Sequence, residues 1–109
     1  RNNDRPEDAL EVLSRVQNNY HTETELQEQF GITYYMNEQY QEAKDFFTEV
    51  HSRNPDLMRP KHFLAFIYDQ LGNRDSAEVM YQKLLEEIPD EPLYLNNLAY
   101  IYAVQGKNL

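Results

Sequence analysis

Apolar residues along this chain return every three or four positions, and no stretch shows the two-residue alternation of a strand. Leu10, Val12, Leu13 and Val16 mark the first such stripe, within residues 7–17. Leu26, Phe30 and Tyr34 carry a second to about residue 36, opened by Thr22 and Glu25 at capping-box spacing. After a polar break at 37–39, Tyr40, Ala43, Phe46, Phe47 and Val50 carry a third to about residue 52. Two more helices are predicted over 57–71 and 75–88, and a last one from Pro92 to Gly106. The punctuation between them has physical causes. Pro55 and Pro89 cannot continue the helix before them, and Asp56 is placed to cap the helix after it. Gly72-Asn73 supplies a turn that tolerates left-handed backbone, and Pro92 falls in a first turn, where a missing N–H costs little. The prediction is an all-α chain of paired helices.

The pairs repeat. Tyr34, Tyr68 and Tyr102 stand 34 residues apart, as do Ala9, Ala43 and Ala77. Phe30, Leu64 and Leu98 keep the same step, each followed by a small residue: Gly31, Ala65 or Ala99. Pro55-Asp56 returns as Pro89-Asp90, and Gly72 as Gly106. A fixed period of roughly 20–50 residues marks a stacked repeat array, which presents long surfaces rather than enclosed clefts.

These residues resemble the tetratricopeptide repeat family, in which a large apolar residue, a small one and an aromatic precede small–aromatic–small positions and a closing proline. Residues 24–57 supply Phe30, Gly31, Tyr34, Ala43, Phe47, Val50 and Pro55. Residues 58–91 supply Leu64, Ala65, Tyr68, Ala77, Tyr81, Leu84 and Pro89. Ala9, Leu13 and Val16 mark the second helix of a preceding repeat over 5–20, with His21 where the family has proline. Leu98, Ala99 and Tyr102 mark the first helix of a following repeat over 92–109. The tryptophan common early in the repeat is absent. The resemblance implies an α-α superhelix, a solenoid of stacked antiparallel helix pairs. Each pair's small residues let its helices approach toward the short end of about 8–10 Å.

The resemblance also implies a binding face. In such arrays the first helix of each repeat lines a concave groove. Carried across, the groove residues are Glu28, Ile32, Tyr35 and Met36, then Arg59, His62, Phe66 and Asp69, then Asn96 and Tyr100. Apolar surface with scattered polar groups suits an extended peptide or an amphipathic helix. Family members that clamp acidic C-terminal peptides use Lys and Asn on these helices. This chain has Glu28 and Ile32, then His62 and Phe66, so no such clamp is expected.

Composition narrows the functional classes. The net charge of -9 sets nineteen acidic residues against ten basic ones, a balance that repels phosphate backbones and anionic membrane surfaces. Nucleic acid is therefore not an expected partner. No apolar run approaches the roughly 20 residues of a membrane span. There is no cysteine, no metal-ligand spacing among His21, His51 and His62, and no phosphate loop or nucleophile motif, so no cofactor, metal or catalysis is expected. The compartment is left open. The expected role is a protein-interaction scaffold, with a regulatory or substrate-presenting arm of a larger enzyme as the alternative. The last predicted helix is apolar almost all round, which leads to two further expectations: that the chain is a fragment of a longer protein, or that its exposed terminal helices pair with another copy.

Overall fold

The computed structural model describes residues 23–106. The helix expected over 5–20, the Thr22 half of the capping box and the tail after Gly106 lie outside that range. Five helices follow one another: α1 Glu23–Met36, α2 Tyr40–Arg53, α3 Met58–Gln70, α4 Arg74–Glu87 and α5 Pro92–Gln105. The described residues contain no strand. Each helix packs on the next in the chain, α1 on α2 through to α4 on α5. The body measures 49 × 33 × 21 Å, and its radius of gyration is 15.2 Å. A compact domain of 100 residues would have a radius near 13 Å. This is an elongated, all-α helical repeat solenoid.

The repeating residues form its spine. Ala43, Phe47, Leu64, Ala65, Ala77, Tyr81, Leu84 and Ile101 are buried in one continuous core. A Cβ on Gly31 would stand 2.9 Å from the Phe47 ring, so glycine is what lets α1 approach α2 here. Phe47 in turn stacks on Phe63 of α3, with centroids 4.8 Å apart and planes within 6°. One step on, Tyr81 replaces Phe47 and Asn97 replaces Phe63, and Asn97 Nδ2 donates to the Tyr81 hydroxyl at 3.1 Å. A stacked pair in one junction becomes a hydrogen-bonded pair in the next. A similar exchange occurs within the hairpins: Arg53 donates to Gln27 at 3.4 Å, and one step on Lys61 pairs with Glu87.

The turns match the sequence punctuation except in one place. Gly72 and Gly106 adopt φ of 82° and 74° as expected. Asp56, however, does not cap α3: the N-cap is Leu57, with no side-chain cap bond. Leu57 is still extended, with φ -70° and ψ 132°, so the helix begins one residue too late for Asp56 to stand at the cap position. At the start of α5 the cap falls on Glu91, whose carboxylate accepts from Leu93 N at 3.2 Å.

Candidate partner-binding face

The first helix of each hairpin, α1, α3 and α5, lies beside the next one, and four of the ten expected groove residues, Glu28, Tyr35, Arg59 and His62, make contacts across those two junctions. Between α1 and α3, Arg59 donates to Glu28 Oε1 at 3.4 Å. Glu28 is only 7% exposed, so this is a covered acid held by a half-exposed guanidinium. Tyr35 packs edge-on against Phe63, with centroids 5.1 Å apart, and against Tyr40 at 5.7 Å. Ile32 is partly buried against the core.

Between α3 and α5, His62 Nδ1 and the Tyr94 hydroxyl share a hydrogen bond of 2.9 Å. The His62 ring also stands edge-on to Phe66, at 4.6 Å, and to Phe63. Phe66 reaches inward to Tyr81 at 5.9 Å. Asp69 lies 3.9 Å from Arg74 Nε and ties the end of α3 to the start of α4. The other three residues stand apart from these clusters: Met36 is 72% exposed, Tyr100 is 58% exposed, and Asn96 faces solvent. The structure therefore brings together Glu28 with Arg59 and His62 with Phe66. It spends the rings of Tyr35 and Phe66 largely on packing between helices.

Electrostatically the face is quiet. Burial lowers the His62 pKa below the ordinary imidazole value, only partly offset by Glu91, so the ring is neutral at pH 7. Burial raises the Tyr94 and Tyr35 hydroxyls, and it raises Tyr81 most of all despite its bond from Asn97. Met58, Arg59, His62, Phe63, Ile88 and Tyr94 surround a cleft of about 510 Å³ at the N-terminal end of α3. Among the described residues no group of three or more His, Cys, Asp or Glu could hold a metal, and no helix is long and apolar enough to cross a membrane.

Sequence reasoning missed Tyr94, Phe63 and Ile88. Tyr94 falls one step after Pro60, so the period gives it no counterpart. For Phe63 a signal existed: Phe47 and Phe63 are both aromatic, and their counterparts Tyr81 and Asn97 are both polar.

Stacked antiparallel hairpins with a shared face of first helices define a repeat solenoid, a class of protein built to present surface. The chain belongs to the tetratricopeptide repeat family, whose pattern it matches over residues 34–101. A curated relative is the photosystem I assembly protein Ycf3 of Prochlorococcus marinus subsp. pastoris, 32% identical over 80 residues. That alignment covers 71% of this chain and 46% of Ycf3. Among solved structures, MamA AMB-1 superposes with a TM-score of 0.77 at 23% identity, covering 93% of this chain and 59% of MamA. MamA MSR-1 superposes at 0.76 with 24% identity, covering 93% and 58%. The MamA likeness is one of fold. The chain thus spans about half the length of its curated relative.

Proposed function

We propose that this chain is a non-catalytic interaction scaffold, holding a peptide or a partner-protein segment on the face shared by α1, α3 and α5. Within it, 24–57 and 58–91 act as full repeats, flanked by half-repeats over 5–20 and 92–109. One observation carries the reading. Large apolar side chains on these first helices, Met36, Leu93, Tyr100 and Val104, remain exposed while the charges between them are paired internally. Contiguous exposed apolar surface marks interaction sites, and Leu93, Tyr100 and Val104 recur at i, i+7 and i+11, one face of α5. The curated relative is named for photosystem I assembly, a role of the same kind. The test is capture of partners by the immobilised chain, then replacement of Met36→Glu and Tyr100→Ala. Binding should fall by roughly tenfold or more, the loss expected when anchor residues at the centre of an interface are truncated. The helical circular dichroism signal should survive, and undiminished binding would count against this face.

A second reading, self-association through α5, rests on a separate observation. α5 is the one helix among those described without a charged residue. Its Leu95 is 45% exposed, where its counterpart Lys61 on α3 is 5% exposed beneath α4. Ile101 is buried, so Leu95→Glu is the variant to use. It should abolish any concentration-dependent rise in sedimentation coefficient.

A further inference from the structure

The one permanently charged residue that lines the α3–α5 cleft, Arg59, is engaged from within. Arg59 is held by Glu28 at 3.4 Å, and the Glu28 side chain is 9% exposed, so that acid is not free to turn to solvent. The Glu91 carboxylate accepts from Leu93 N. His62 spends Nδ1 on the Tyr94 hydroxyl. What is left to recognise is apolar: partly buried Met58 and Phe63, and Ile88, over a buried Tyr94, with Ile88 and neighbouring Leu93 more than two-fifths exposed.

Geometry and charge together narrow the occupant. A ligand carboxylate entering the cleft would have to compete with Glu28 for Arg59. It would also approach Glu28 and Glu91, two like charges, in a chain whose net charge is -9. A cationic group would lose hydration against walls among whose lining residues there is no acid to receive it. An uncharged aliphatic or aromatic side chain meets neither penalty.

We propose that this cleft is a charge-neutral anchor site for Leu, Met or Phe side chains of an amphipathic partner segment, and that Glu28 sets the selectivity by occupying Arg59. Glu28 thus acts as a specificity residue: it removes the one cation that would otherwise attract acidic ligands. Negative selection of this sort, in which a group discriminates against the wrong partner, is a common source of specificity. The inference rests on the scaffold reading and adds the chemistry of the partner.

The experiment is selection of short random peptides on the intact chain, followed by affinity measurement of the enriched sequences. The expected winners carry Leu, Met or Phe at the contact positions and no carboxylate among them. Their affinity should change by less than about twofold between about 50 and 500 mM NaCl, because no exposed ion pair forms for salt to screen. Ile88→Glu, and independently Met58→Gln, should weaken them by about tenfold or more, the effect of spoiling a central apolar pocket. In Glu28→Gln, a synthetic Asp- and Glu-rich peptide with a free C-terminus should gain about tenfold or more in affinity, as expected when Arg59 loses its internal partner. Acidic winners, strong salt dependence, indifference to Ile88→Glu and Met58→Gln, or no gain in Glu28→Gln would each overturn the proposal. Peptides lost on Met36→Glu and Tyr100→Ala but not on Ile88→Glu would leave the scaffold reading standing and remove this one. An empty selection would count against both.

Discussion

Glu38 holds a backbone conformation that side chains resist, with φ at 63°, while Gly72 and Gly106, one and two steps on, sit at 82° and 74°. The turn between helices requires left-handed backbone at this phase, and only the first turn lacks the glycine. For an L-residue that geometry costs roughly 1–2 kcal/mol, against about 0.5–1 kcal/mol of extra chain entropy lost when glycine folds. Glu38→Gly should therefore stabilise the chain by about 0.5–1 kcal/mol, read as a higher urea midpoint with unchanged slope. Gly72→Ala should move the midpoint the other way by a similar amount. Nothing lies within 4 Å of where its Cβ would be placed, so that loss would be backbone strain alone. Equal midpoints for Gly72→Ala and the parent would refute the assignment. Residue by residue, the glycines at 72 and 106 announced their turns, whereas Glu38 read only as part of a polar break.

Helix ends and helix faces were legible because proline, glycine and the apolar period each act through local backbone chemistry. The segment expected over 75–88 is α4, Arg74–Glu87, and that over 57–71 is α3, Met58–Gln70. Partner choice across helices was less so. The period says which residues share a face, and it is silent on which neighbour each one touches. His62 meets Tyr94, a separation of 32 rather than 34, and Tyr35 meets Phe63, a separation of 28. Such offsets depend on how far each helix slides past the next. The α2–α3 and α4–α5 junctions make this testable, because the same two positions hold Phe47 with Phe63 in one and Tyr81 with Asn97 in the other. Phe47→Tyr alone buries a hydroxyl beside a ring, at about 1–3 kcal/mol for an unsatisfied group. Phe63→Asn alone removes a stacked ring and should cost about 3 kcal/mol, in the range of large-to-small core changes. Together they recreate the downstream pair, so the double variant should lose less than the sum by about 1–2 kcal/mol of coupling. Strict additivity in urea denaturation would show that each junction tolerates either residue independently.

Over the whole molecule, two histidines in different helices tie stability to pH in the same direction. His51 of α2 is lowered by burial first, then by Lys83 and Lys61, and its Nδ1 has no hydrogen-bond partner. His62 of α3 is lowered by burial, with Glu91 working against it. In the unfolded chain both return to the ordinary value of about 6.5. Just below that pH the unfolded state therefore binds more protons than the folded one, and unfolding stability rises with pH. The stability owed to the neutral rings is complete above the unfolded value and is lost as pH falls toward the lowered native values. Thermal midpoints should accordingly decline from pH 7.5 to 5.5, a window (about 6.5 ± 1) in which imidazole changes charge while ordinary carboxylates stay ionised. Replacing both rings, His51→Gln with His62→Gln, should flatten the curve over that window. The surface acids remain in that variant, so a slope that persists would assign the pH dependence to them. A flattened slope would locate it in the two imidazoles, one on α2 near Lys83 and Lys61 and one at the α3–α5 junction that supports the proposed binding face.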